Sequence, residues 1–249
     1  TFVCMKVMVT GADGVLGSNL VRVLLDRGHV VRILQLTGTT SPTLEGLPIE
    51  QRQGNILEPD SIEACMEGME AVIHCAASTQ VFPAKNDFIR RVNVEGTNNI
   101  ADACLKLKVQ RLIYVGTANS FGTQPDAPEL ANEQCDYTSH VYGLDYMNSK
   151  REAQELLIRR VAEDGLPAIV VNPTFMIGAY DSKPSSGQMI TALLAGKIPG
   201  FAGGGKNYIH VRDVAVAMTN ALTMGRIGEC YIVGHENLDY RVAFERMAK

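Results

Sequence analysis

The sequence has no CxxC pair, no apolar run of membrane length, no excess of positive charge and no internal repeat. Each absence removes a class of protein. The six cysteines, Cys4, Cys65, Cys75, Cys104, Cys135 and Cys230, are scattered and have no histidine-rich neighbourhood. Zinc or thioredoxin chemistry needs ligands clustered at short spacing, so no metal site is expected. Cys75 and Cys104 read instead as small core hydrophobes. Apolar runs such as Ala168–Val171 fall far short of a bilayer, so no membrane partner is expected. A net charge of −4 provides no basic footprint for nucleic acid. The strand-like segment Met5–Thr10 follows without the charged flank and apolar centre of a secretory signal, and a cytoplasmic location with reduced thiols is the expectation.

What is present is an ordinary globular composition. The chain has 249 residues, 46% hydrophobic and 20% charged, which excludes disorder and allows one large domain or a domain with a small appendage. Short apolar runs at Lys6–Thr10, Val30–Leu34, Ile49–Gln53, Ala71–Cys75, Arg111–Val115 and Ala168–Asn172 predict strands. Helical spacing at Val15–Arg27, Pro59–Met66, Asp87–Leu107 and His140–Asp164 fills the gaps between them. Strand–helix alternation with uninterrupted apolar strands predicts an α/β fold, a doubly wound parallel sheet of Rossmann type. After residue 173 glycine, proline and serine crowd into Gly178–Gly187 and Gly196–Gly205, and strand signals become sparse. The expected division is a dinucleotide-binding domain over 1–173 and a substrate-binding region over 174–249. The latter returns to the sheet through a strand at Cys230–Val233.

Three segments carry chemistry. Thr10-Gly11-Ala12-Asp13-Gly14-Val15-Leu16-Gly17 lies between the first strand and first helix, where a pyrophosphate can meet backbone N–H groups. Gly11 permits a tight turn, Gly14 a close phosphate approach, and Gly17 helix–strand packing. In Tyr146-Met-Asn-Ser-Lys150 the i and i+4 positions share a helix face, so phenol and ammonium can converge. A nearby ammonium favours the phenolate and makes Tyr146 a usable acid/base. Tyr142 lies one turn earlier, and Lys150 decides between the two tyrosines. Third, Thr117 lies just beyond the strand Arg111–Val115, at the sheet edge where ligands of open α/β folds bind, with Ser120 as its rival.

These segments, in this order and with Val72-Ile-His-Cys-Ala-Ala77 between them, resemble the short-chain dehydrogenase/reductase superfamily over nearly the whole chain. Asn93-Val-Glu-Gly-Thr97, Val170-Val-Asn-Pro173 and Tyr208-Ile-His-Val-Arg-Asp-Val214 resemble markers of its extended, epimerase/dehydratase-like branch. Within that branch the sequence is most similar to the dihydroflavonol 4-reductase and 3β-hydroxysteroid dehydrogenase group. The resemblance implies a nicotinamide cofactor and a Thr117–Tyr146–Lys150 catalytic set. Thr117 would polarise a carbonyl and Tyr146 transfer the proton. Lys150 would hold the nicotinamide ribose and depress the tyrosine pKa. The cofactor-binding residues it implies are Gly11, Asp13, Gly14, Val15, Leu16, Asn55, Ile56, Ala76, Ala77, Asn93, Tyr146, Lys150 and Pro173. Asn55 stands where the family usually has an Asp that contacts adenine.

Beyond the second strand, Gln35-Leu-Thr37-Gly38 lacks the acid that would bind the 2′-hydroxyl of NAD. Thr37, Thr39 and Arg32 could solvate a 2′-phosphate, and the reading leans to NADP over NAD. His74 is expected to be a satisfied strand-end side chain, and Met66 and Met69 core packing. Lys85, Arg90 and Arg91 are expected to form a solvated helix start. His210 and Arg212 are expected to orient a loop through Asp213. The function these residues imply is reduction of a small carbonyl, or oxidation of the alcohol, by hydride transfer. The alternatives are a nucleotide-sugar 4-epimerase and a non-catalytic NAD(P)-sensing protein, against which Tyr146 and Lys150 count. If the chain follows its relatives, the helices at 87–107 and 140–164 form a four-helix homodimer contact. The final segment Tyr240–Lys249 reads as a helix without a C-cap glycine, and the chain reads as shorter than extended members usually are.

Overall fold

The computed structural model describes residues 4–122, 130–182, 185–201 and 203–248. Seven parallel strands form the main sheet: β1 (Lys6–Thr10), β2 (Val30–Leu36), β3 (Glu50–Gly54), β4 (Ala71–His74), β5 (Arg111–Val115), β6 (Ala168–Pro173) and β9 (Cys230–Val233). Their order is β3-β2-β1-β4-β5-β6-β9. The central strands are the continuous apolar runs, buried on both faces. The Glu-Gln-Arg-Gln run of β3 is exposed, which suits an edge strand. The order reverses between β1 and β4, and this opens a crevice beyond their C-terminal ends.

Alternate residues on each strand feed two separate cores. Val7, Val9, Ile33, Ile73, Ile113 and Ile169 pack on one face beneath α1 (Val15–Asp26) and α7 (Val211–Met224). Met8, Leu34, Val72, Leu112, Tyr114 and Val170 pack on the other beneath α2 (Pro59–Met66), α4 (Gly96–Lys106) and α5 (Asp145–Asp164). Met66 and Cys104 are fully buried in this second core, with Met69 packed against it, and Cys75 packs against the first.

Two helices differ from the sequence expectation. The segment expected as one helix over His140–Asp164 starts at Asp145. Gly143 adopts a left-handed conformation (φ 61°) and Leu144 is extended, so His140 and Val141 belong to a separate 3-10 turn at Ser139–Tyr142. Val141 is therefore solvent-exposed and not on the helix's inner face. That inner face is Ser149, Lys150, Ala153, Gln154 and Leu157. The helix expected over Asp87–Leu107 is α3 (Asp87–Arg90), a π-helical stretch Arg91–Glu95 and α4. The wider turn buries Asn93 and Val94.

After residue 173 the chain has more regular structure than its turn-rich composition suggests. Strand β7 (Phe175–Ile177) pairs in parallel with β8 (Gly205–His210), and β8 pairs antiparallel with β10 (Glu236–Asp239). Helix α6 (Gln188–Leu194) and helix α8 (Tyr240–Met247) accompany this small sheet. Lys249, expected as the last residue of the terminal helix, lies outside the described residues. Helix α7, not among the elements expected from the sequence, is capped at its N-terminus by a His210 ring nitrogen and buries Val211, Val214, Ala215, Met218, Thr219, Ala221 and Leu222. No helix among the described residues is long and apolar enough to cross a membrane.

Candidate active site

The glycine-rich turn forms a cradle at the crevice. Gly11 has φ 65°, and a Cβ there would stand 2.6 Å from the Ala76 nitrogen. At Gly17 a Cβ would lie 2.2 Å from the Gly11 carbonyl oxygen, so α1 can approach β1 only with glycine at this position. Gly14 is different. Its backbone (φ −78°, ψ 167°) suits any residue, and a Cβ would meet only the Gly11 oxygen at an ordinary 3.5 Å. The folded chain itself has no need of glycine there, and among the described residues no side-chain cap is seen at the α1 N-terminus that Gly14 begins. A cradle whose glycine serves no internal contact, beside uncapped N–H groups of Val15 and Leu16, fits a pyrophosphate.

Across the crevice, β5 and α5 bring Thr117, Tyr146 and Lys150 together. Thr117 is buried beyond the end of β5, and its Oγ1 accepts the Asn119 N–H at 3.3 Å. Burial pushes the Tyr146 phenol above its ordinary value, and the Thr117 side chain opposes that shift. Ser120 is wholly buried and its hydroxyl has no partner among the described residues, whereas the Thr117 side chain acts on the Tyr146 phenol. Tyr142 is exposed on the preceding 3-10 turn. Lys150 donates from Nζ to the Val115 carbonyl, and its ammonium lies 4.2 Å from the Tyr114 ring centroid. Burial pushes this ammonium down to about 7. The Tyr146 phenol is raised, and Lys150 is not among the groups that oppose the rise; this differs from the depression expected from the sequence.

Beneath these groups runs one directional chain of hydrogen bonds. Thr97 donates its hydroxyl to the Asn93 carbonyl at 2.6 Å, so toward His74 Nε2, 3.1 Å away, it accepts. His74 Nδ1 must then accept from the Thr10 hydroxyl at 2.7 Å, and Thr10 in turn accepts the Ala76 N–H at 3.2 Å. His74 is thus a neutral, satisfied side chain, with its pKa lowered to about 3 by burial and by the Lys150 charge. Asn93 extends the chain to α5. Its amide exchanges hydrogen bonds with both backbone groups of Ser78 and donates to Ser149 Oγ at 2.9 Å.

Comparison with known proteins places the chain in a family. The profile described as "NAD dependent epimerase/dehydratase family" matches residues 7–234. The chain belongs to this family. It is an NAD(P)-dependent oxidoreductase of the extended short-chain dehydrogenase/reductase type. It is 33% identical to a Synechocystis sp. protein carrying the name dihydroflavonol 4-reductase, over 92% of this chain and 68% of that one. Among solved structures, a nucleoside-diphosphate-sugar epimerase from Pseudomonas aeruginosa is 28% identical with a TM-score of 0.84, covering 99% of this chain and 77% of that one. The UDP-glucose 4-epimerase of Thermus thermophilus, solved with NAD, shares the fold at 24% identity and TM-score 0.85, over 98% of this chain and 82% of that one.

The other residues expected to meet the family's cofactor fall at several places around the crevice. Asp13 sits within the glycine turn, and Ala76 and Ala77 follow β4 against Gly11. Pro173 ends β6 in register with Val233. Asn55 follows β3 and closes a turn before α2, its Oδ1 accepting the Leu57 N–H at 3.0 Å. The neighbouring Ile56 packs beneath Gly96, where a Cβ would come within 2.7 Å of it. Arg32 does not turn toward the crevice. Its guanidinium is held by Glu50 at 2.6 Å and by the Cys65 and Glu67 carbonyls at 2.9 and 2.7 Å, so it is spent away from a 2′-phosphate. Arg212 pairs with Asp26 of α1 at 3.5 Å and not through Asp213. Lys85 and the Asn86 amide both bind Asp145, which ties the loop after β4 to the residue before Tyr146. Arg90 and Arg91 pair with Glu152 and Glu95 on the helix surface.

Sequence reasoning missed the residues that brace the site. Asn172 of β6 is wholly buried, and its Oδ1 accepts the Thr117 N–H at 3.0 Å. Gly116 makes room for it. The pattern Gly-Thr after one apolar strand and Asn-Pro at the end of the next is visible in the chain, but only the β5–β6 pairing shows that they meet.

Proposed function

We propose that this protein interconverts a carbonyl and an alcohol on a small organic substrate, with Tyr146 as proton donor and acceptor. The observation that carries the reading is the placement of Thr117 and Tyr146 at the C-terminal sheet edge, where the buried Thr117 side chain acts on the Tyr146 phenol, together with the glycine cradle. A nicotinamide dinucleotide, held by the Gly11–Gly17 turn and by Lys150, supplies the hydride acceptor or donor. Thr117 and Tyr146 present two hydroxyls to one oxygen atom, and together they stabilise the charge that develops on it. The proton leaves or returns through the Tyr146 phenol. A phenol is protonated near neutral pH and burial raises this one further, which suits it to donate during reduction. Thr117 is held by Asn172 and the Asn119 amide, so its position is set before substrate arrives.

The cofactor we infer is NADP in preference to NAD. Gln35, Leu36 and Thr37 place no carboxylate at the end of β2 to repel a phosphate, although with Arg32 spent only neutral groups remain there to solvate one. A homodimer through α3, α4 and α5 belongs to the same reading, and light scattering tests it.

The deciding experiment supplies purified protein with NADPH or NADH and a panel of ketones and aldehydes. Oxidation of the cofactor by the wild type, lost in Tyr146→Phe while cofactor still binds, supports the assignment. Interconversion of UDP-sugars without net cofactor oxidation would replace it with a 4-epimerase. Turnover undiminished in Tyr146→Phe would remove the tyrosine from the mechanism.

A further inference from the structure

We propose that Tyr114 is a positioning residue for Lys150, its ring face and the Val115 carbonyl together holding the ammonium at the floor of the site. The inference rests on the reading of Lys150 as a site residue. Tyr114 is 1% exposed on β5, directly before the residue whose carbonyl accepts from Lys150. The ammonium lies 4.2 Å from the ring centroid, within the range of a cation–π contact. The ring cannot turn away. It packs on the His74 imidazole with centroids 5.8 Å apart, and that imidazole is fixed at both nitrogens by Thr10 and Thr97.

A buried ammonium ordinarily persists by pairing with a carboxylate. The titratable groups that face Lys150 are Cys75 and His74 after and on β4, Tyr114 on β5, and Tyr146 one turn earlier on its own helix. None is a carboxylate. The Val115 carbonyl takes one N–H, and the ring attracts the charge without claiming a particular proton. Two N–H groups are therefore left to point at a ligand. A carboxylate in the same place would have fixed the lysine more firmly and drawn its protons away from the crevice. The phenol oxygen of Tyr114 contributes little to this, since it makes no well-formed hydrogen bond.

The test compares Tyr114→Phe with Tyr114→Leu in two ways. The first follows the Lys150 13Cε signal of the free protein through a pH titration, assigned by its disappearance in Lys150→Met. Because the ring favours the charged form, its removal in Tyr114→Leu should lower the midpoint by about half a pH unit or more, and Tyr114→Phe should restore it. The second follows NADPH binding by fluorescence between pH 6 and 9. The Leu variant should bind within about twofold of the wild type at pH 6 and fall about threefold or more behind at the alkaline end. An unchanged Lys150 midpoint in a folded Tyr114→Leu protein would overturn the proposal, as would a Phe variant that behaves like the Leu variant. The titration needs neither cofactor nor turnover. A wild type that binds no dinucleotide would thus refute the functional reading while still judging Tyr114.

Discussion

The Thr117 amide donates to Asn172 Oδ1 at 3.0 Å, across the pairing of β5 with β6. A Cβ on Gly116 would stand 2.0 Å from that same oxygen. Gly116→Ala must therefore push Asn172 aside and release Thr117. We expect a stability loss of about 1–3 kcal/mol in urea denaturation. Turnover should fall by roughly a hundredfold, since displacing a group by about 1 Å has that effect on positioned catalysis.

Gly14 and Gly17 should respond oppositely to alanine. Gly14→Ala meets only an ordinary contact in an allowed backbone conformation, so its stability should stay within about 0.5 kcal/mol of wild type. Its dinucleotide affinity should fall by about tenfold or more, because the added methyl occupies the phosphate cradle. Gly17→Ala, with its Cβ at 2.2 Å from the Gly11 carbonyl, should lower the melting temperature markedly before any ligand is added. Thermal melts with and without NADPH separate the two effects. Equal destabilisation by both variants would remove the ligand role of Gly14.

Lys150 should cost the free protein stability. Its ordinary value is 10.5 and its folded value about 7, so between these the unfolded chain holds a proton that the folded chain releases. Stability from this group rises with pH across that window, and below pH 7 the full cost remains. Lys150→Met should therefore raise the melting temperature at pH 6 to 7, with the advantage shrinking by pH 10. A variant no more stable than wild type at pH 6 would contradict the buried charge.

His74 acts at the acid end. Its folded value of about 3 lies below the ordinary 6.5, so in this range the unfolded chain binds the extra proton. Stability is complete above pH 6.5 and falls as pH drops toward 3, by about 1.4 kcal/mol per unit for one proton. Urea denaturation from pH 7 to pH 4 should show this slope, and His74→Gln should reduce it by about one proton.

The strands and most helices of the first 173 residues could be read from the chain, because their apolar periods are local properties of consecutive residues. So could the glycine turn and the shared helix of Tyr146 and Lys150, which depend on spacing within a single turn or helix, but Lys150 binds the Val115 carbonyl and does not act on the Tyr146 phenol. The start of α5 could not, since Gly143 interrupts a pattern whose apolar residues continue on both sides of it. The small sheet of β7, β8 and β10 was obscured by a composition rich in turn residues, whereas the helical spacing of α7 is present in the chain.

The sequence by itself determined the doubly wound sheet and the types of residue at its edge. Only the tertiary structure decided how those residues are held and which are spent elsewhere. Thr117 rather than Ser120 acts on Tyr146, Arg32 is tied to Glu50, and Asn172, Asn93 and Tyr114 brace the site. The physical reason is that a hydrogen bond or a ring contact between strands depends on sheet order and register. Residues 55 or 56 positions apart, as Thr117 and Asn172 or Asn93 and Ser149 are, leave no local periodic trace of their meeting.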